Sequence, residues 1–175
     1  MTADPRYPIG KFEMPARVTP DLRRQAIQTI ADTPAHLRAA VRGLTGVQLE
    51  TPYREGGWTL RQTVHHVADS HINSYIRWRL ALTEEQPPIK TYKEALWAEL
   101  HDAKSAPIEI SLTLLDALHD RWTQLLRSLP DSAYAKTLLH PERGVVSLDW
   151  LLFIYAWHGP HHIAHITNLR RQKNW

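Results

Sequence analysis

Apolar side chains recur at steps of three, four and seven along most of the chain, and no stretch alternates at period two for long, so the pattern predicts helices. The first opens at Thr19-Pro20, an N-cap with proline at the first helical position, and carries Leu22, Ala26, Ile30, Leu37, Val41 and Leu44 on one face. Pro34 lies inside it and predicts a kink or a split. The second follows Gly56-Gly57-Trp58, has Thr59 and Gln62 spaced as a capping box, and runs to about Leu82, before Glu85-Gln86-Pro87-Pro88. A short helix is predicted over Tyr92 to Lys104. The third begins after Pro107, with Ile110, Leu114, Leu118, Trp122, Leu125 and Leu129 as its apolar seam, and Pro130 ends it. The fourth starts near Ser147 and runs almost to the end, with Pro160 predicting a local bend.

Four long amphipathic helices predict an all-α, four-helix-bundle fold. The connections differ greatly in length, and the long one from about Thr83 to Pro107 predicts a crossover instead of simple up-and-down order. No hairpin signal sits between apolar runs. At 175 residues one domain is expected over 1–175, with an N-terminal arm, 1–18, whose Tyr7, Pro8, Ile9 and Phe12 need cover and so should pack on the bundle.

Composition narrows the chemistry. Hydrophobic residues make up 43% and charged ones 22%, as in ordinary folded domains. The 21 Lys and Arg against 18 Asp and Glu are scattered, which argues against a nucleic-acid partner. There is no cysteine, so a metal must be held by nitrogen and oxygen, and disulfides and a cysteine nucleophile are excluded. The start of the chain has no apolar signal region and no run approaches the ~18 residues of a membrane span, so a cytoplasmic protein with no membrane partner is expected. No G-x-S-x-G elbow, P-loop or dinucleotide fingerprint occurs. Trp58, Trp78, Trp122, Trp150 and Trp157 read as core or interface aromatics.

The candidate chemistry is histidine. His158, His161, His162 and His165 form two overlapping pairs four residues apart, each projecting to one helix face. Around the inward direction set by Leu148, Leu151, Tyr155, Ile166 and Leu169, a wheel of about 100° per residue places His162 within roughly 15°, His158 about 50°, His165 about 70° and His161 about 110° away. The pair His158 and His162 therefore faces inward, either as a metal ligand pair or as neutral core histidines bonded to groups such as Asp69. A third ligand should come from the stretch His65 to His71. Periodicity nominates His71, near the centre of the apolar stripe Leu60, Val64, Val67, Tyr75, Trp78 and Leu82. The alternative is His66, on a polar stripe with Gln62, Ser70, Asn73 and Arg77 that would wall a wet cavity, with Asp69 as an acceptor behind it.

Several long motifs carry a resemblance over essentially the whole chain: RYPIGKF at Arg6, TPYREGGWTLRQTVHHVADSHINSYIR at Thr51, LTEE at Leu82, LLHPERG at Leu138 and YAWHGPHHIAHITNLR at Tyr155. In these the chain resembles the DinB/YfiT-like four-helix-bundle family, in particular the YfiT-like branch described as metal-dependent hydrolases. The resemblance implies a DinB arrangement with its second connection crossing over between parallel neighbours, and a homodimer. It also implies one divalent ion per subunit, zinc or nickel, held by His66, His158 and His162. Some relatives of the family are S-transferases that use low-molecular-weight thiols such as bacillithiol or mycothiol.

The motif itself carries no base, since Gly159 stands where zinc proteases have glutamate. Two enzymatic readings follow for a small-molecule substrate: hydrolysis, assisted by a distant carboxylate such as Glu13 or Glu84 or by another histidine, and transfer of a thiol, which needs less help to ionise. Arg6, Arg77 and Tyr7 are candidates to hold an acidic substrate. The non-enzymatic alternative is a metal-stabilised dimeric binding module, for which a fourth ligand such as His71, Asp69 or His165 would speak.

Overall fold

In a computed structural model describing residues 4–175, four long helices form the bundle: α1 (Pro20–Val41), α3 (Leu60–Thr83), α6 (Ile108–Ser128) and α7 (Leu148–Lys173). Short elements fill the connections: α2 (Gly46–Leu49), α4 (Glu94–Trp97), α5 (His101–Ser105), a 3-10 turn over Asp131–Ala135, and the strands β1 (Thr137–His140) and β2 (Gly144–Ser147). The local signals act as read. Thr19, Thr59 and Ser147 cap α1, α3 and α7 by accepting from Leu22, Gln62 and Trp150, and Thr59 with Gln62 completes a capping box. Helix α1 runs through Pro34 and α7 through Pro160 without interruption, so Pro34 does not split its helix.

Contacts between helices fix the topology. Helices α1 and α3 each pack against both α6 and α7. Arg23 meets Asp149 and Arg170 meets the Ala40 carbonyl, so α1 and α7 run parallel. His65 bonds Ser111 and His71 bonds His119, so α3 and α6 are also parallel. The connection from α3 to α6 is therefore the crossover. Helices α3 and α7 run antiparallel, since His66 faces both His158 and His162 while Ser70 faces Tyr155.

Three expectations are corrected. The stretch Tyr92 to Lys104 forms two separate helical turns, α4 and α5. The core face of α6 is Ser111, Leu112, Leu115, His119, Trp122, Thr123 and Leu126, while Ile110 and Leu114 of the predicted seam are 61% and 43% exposed. Polar residues share the inner face, so apolar periodicity selected the neighbouring stripe. Strands β1 and β2 form an antiparallel hairpin pairing Thr137 with Ser147 and His140 with Gly144, and Leu139 also exchanges backbone bonds with Pro87 and Ile89. Four-residue strands are too short to show alternation, and Gly144 supplies the positive φ of 70° that the turn requires.

The arm packs along α7: Phe12 lies 6.1 Å from Trp150 and 6.2 Å from Trp157, and the Trp157 indole N–H donates to the Gly10 carbonyl. Ile9, by contrast, is 46% exposed. Trp78 and Trp122 are fully buried, whereas Trp58 covers His66, with ring centroids 4.5 Å apart. Among the described residues no helix is long and apolar enough to cross a membrane.

Candidate metal centre

His158 and His162 sit one turn apart on α7, and His66 reaches them from the antiparallel α3. Their ring centroids lie 5.4 Å (His66–His158), 4.7 Å (His66–His162) and 4.5 Å (His158–His162) apart. One nitrogen from each ring falls within 4.8 Å of the others. Between these two residues, Gly159 lets α7 approach α1: a Cβ there would stand 2.7 Å from both Cγ2 and Oγ1 of Thr33.

All three rings are held neutral. Burial pushes His66 down to about 4 and His158 and His162 well below their ordinary value, and their neighbours' charges add to the effect. His66 makes no hydrogen bond among the described residues, and Nδ1 of His162 is buried without a partner. Asp69 does not bond His66, contrary to its expected role; burial, then the charge of Asp102, raises its carboxyl to about 6.

His71, the residue that periodicity favoured, is fully buried, but both its nitrogens are spoken for. Nδ1 meets Nε2 of His119 at 2.8 Å and Nε2 meets Nδ1 of His158 at 3.1 Å. His119 Nδ1 in turn lies 2.7 Å from the Ile30 carbonyl. That carbonyl is the one whose helical donor would be residue 34, and Pro34 has no N–H to give. A carbonyl only accepts, so His119 must donate from Nδ1. A neutral ring then accepts at Nε2, which makes His71 donate from Nδ1 and accept at Nε2, and makes His158 donate from Nδ1. Burial holds His119 down at about 4 and His71 well below its ordinary value, which keeps the chain of protons pointing one way. The ring of His158 is left with a bare lone pair on Nε2, 3.4 Å from the Ser70 hydroxyl.

A second group, His161, His162 and His165, was not foreseen as buried: His161 and His165 are 7% and 4% exposed. Tyr53 covers His165 at 4.0 Å, Trp157 stacks on His161 at 4.3 Å, and the arm's Tyr7 stands 6.3 Å from His161. Trp157 lies on α7 itself, but a wheel of that helix contains neither Tyr7 nor Tyr53. His161 and His165 bond each other through Nε2 at 3.1 Å, and all three rings come from one helix.

From His158 a cavity of about 420 Å³ opens outward, lined by Ser70, Tyr155, Tyr92 and Arg77 and, farther out, by Glu94, His140, Glu142 and Arg143. The polar stripe of α3 thus does wall a cavity through Ser70 and Arg77, while Gln62 serves the Thr59 cap and the Ala98 carbonyl. Arg6 pairs with Asp4 on the arm and does not join Arg77. Glu13 and Glu84 do not line this cavity; its carboxylates are Glu94 and Glu142.

The profile of the DinB superfamily matches residues 29–166. The chain belongs to the DinB superfamily. A protein of Bacillus mycoides (strain KBAB4) named "Putative metal-dependent hydrolase" is 53% identical over 172 residues, 98% of this chain and 99% of its own length. One of Bacillus cereus (strain B4264) with the same description is 54% identical over the same shares. Among solved structures, YfiT from Bacillus subtilis, described as "a probable metal-dependent hydrolase with an unusual four-helix bundle topology", superposes with a TM-score of 0.95 at 48% identity and 98% coverage of both chains. The DinB bundle expected from the motifs is thereby shown, with the small hairpin added to it.

Proposed function

We propose that His66, His158 and His162 hold one divalent ion and that the protein is a metal-dependent hydrolase acting on a small acyl substrate. The observation that carries this reading is three neutral imidazoles from two helices, with nitrogens within 4.8 Å and no carboxylate bonded to any of them. The donor set fits an ion: His66 and Nδ1 of His162 lack partners, and the relay through His71 leaves His158 with a lone pair on Nε2 met only by the Ser70 hydroxyl at 3.4 Å. Nitrogen donors suit zinc, and also nickel. Three ligands leave coordination positions open, and His71 is not free to add a fourth.

When bound, such an ion supplies Lewis acidity and brings the pKa of water to near ~7. The chain's own groups position the substrate. Tyr155 donates to the Ser70 carbonyl at 3.0 Å, which fixes the Ser70 hydroxyl beside His158. Burial raises the Tyr92 hydroxyl and keeps it protonated; it is buried, makes no hydrogen bond and faces the cavity, so it would donate to a substrate oxygen. The test is metal content and ester and amide cleavage by wild type and by His66→Ala, His158→Ala and His162→Ala. One ion per chain and metal-dependent cleavage, both lost in each variant, would agree; full occupancy in His66→Ala would refute the ligand set.

One observation favours thiol transfer as a second reading: no carboxylate stands beside the three rings to take a proton, and a thiol ionises more easily than water. Adding a small thiol and an electrophile to the same assay separates the two, since transfer requires the thiol and hydrolysis does not. We further propose a homodimer, supported by the outward Ile110 and Leu114 on α6; a monomer in light scattering at every concentration would refute it.

A further inference from the structure

The outer half of the cavity has a charge pattern that the metal reading does not use. Arg77, Glu94, Glu142 and Arg143 all line it, and none of them belongs to an ion pair among the described residues. Arg77, half-buried on α3, spends one N–H on the Lys90 carbonyl at 3.3 Å and has the rest of its fork unbonded. Arg143 rests its guanidinium 5.2 Å above the Trp150 ring. Burial raises the Glu94 carboxyl, with Arg77 opposing the rise and Glu142 adding to it, so these three groups sense one another across the space without touching. His140, between them, is pushed toward its neutral form by burial and then by Arg77, so the wall is balanced at two charges of each sign.

Such a wall selects by what it leaves unpaired. An anion on the two guanidiniums would face two carboxylates, and a cation between the carboxylates would face two guanidiniums. A molecule carrying both charges satisfies all four. We propose that the outer half of this cavity is a subsite for a small zwitterion bearing an ammonium and a carboxylate, as amino acids and dipeptides do, with the carboxylate at Arg77 and Arg143 and the ammonium at Glu94 and Glu142. A cavity of about 420 Å³ is of the size that encloses such a molecule. The inner end, at Ser70, Tyr92 and His158, would then receive the bond to be cleaved; only this last step rests on the hydrolase reading.

The test is calorimetric titration of the full chain, metal-free and zinc-loaded, with L-alanyl-L-alanine, its N-acetyl derivative and its C-terminal amide. The free dipeptide is expected to bind both forms of the protein, and each capped derivative at least about tenfold more weakly, the loss of one charge-assisted contact. Arg77→Gln should weaken the free dipeptide but not the amide, Glu94→Gln should weaken the free dipeptide but not the N-acetyl derivative, and Arg77→Lys should recover part of the binding. Equal binding of all three compounds overturns the zwitterion subsite, as does no binding by protein that still takes up zinc, and both leave the hydrolase reading standing. Protein that binds the dipeptide but takes up no zinc supports the subsite and refutes the hydrolase.

Discussion

The relay from Ile30 through His119 and His71 to His158 predicts that residues outside the proposed ligand set tune how tightly that set holds an ion. The perturbation is His119→Phe, which keeps a planar ring in the core and removes both nitrogens. It breaks the 2.7 Å bond to the Ile30 carbonyl and the 2.8 Å bond to His71, leaving a buried acceptor and a buried N–H without partners. Each orphan costs about 1–3 kcal/mol of stability. His71 is then free to reverse its tautomer, and nothing obliges His158 to keep its proton on Nδ1. Loss of the group behind a metal-bound histidine lowers affinity by roughly 10–100-fold, about 1.4–2.7 kcal/mol, and that is the expected drop in zinc affinity against a chelating dye. His119→Gln discriminates orientation from packing, because its amide can donate to Ile30 and accept from His71 at once, and it should recover most of the loss. Long-range ¹⁵N NMR of the metal-free protein should show His158 protonated on Nδ1 and bare on Nε2. A folded Phe variant binding zinc as tightly as wild type, or a wild-type His158 protonated on Nε2, would refute the relay.

The buried histidines also make stability depend on pH. His66, His119 and His161 stay neutral in the fold down to about 4, whereas the unfolded chain takes up their protons below about 6.5. Stability is therefore full above 6.5 and falls as the pH drops toward 4, by about 1.4 kcal/mol per unit for each such ring. Urea unfolding at pH 7 and pH 5.5 measures this, and equal midpoints would contradict it. Gly159→Ala should lower the melting temperature by an amount equivalent to about 1–3 kcal/mol, because the new Cβ meets Thr33 at 2.7 Å; adding Thr33→Ala should restore part of it, and an unchanged melting temperature in the single variant would contradict the close approach.

Much of the scaffold was legible because it depends on local chemistry. The caps at Thr19 and Thr59 and the four helical spans follow from residues close together in the chain, and the crossover from the length of one connection. The pair His158 and His162 could be placed inward because α7 is apolar along that face. What periodicity misread lies where polar residues occupy the interior. The inner face of α6 carries Ser111, His119 and Thr123, so an apolar wheel selected Ile110 and Leu114 as the seam. The family resemblance nominates His66 where the wheel nominates His71, and it says nothing about the seam of α6. His161 and His165 escaped notice for another reason: their cover comes from Tyr7, Tyr53 and Trp157, two of them remote in sequence.

Pro34 is the residue whose presence is least expected, since an interior proline costs a helix about 3 kcal/mol. Here it leaves a main-chain acceptor available to another helix, and that tie predicts that positions 34 and 119 vary together. Among relatives with this bundle, a residue other than proline at 34 should be accompanied by something other than histidine at 119, and chains that vary one freely while keeping the other would show that the two are inherited independently.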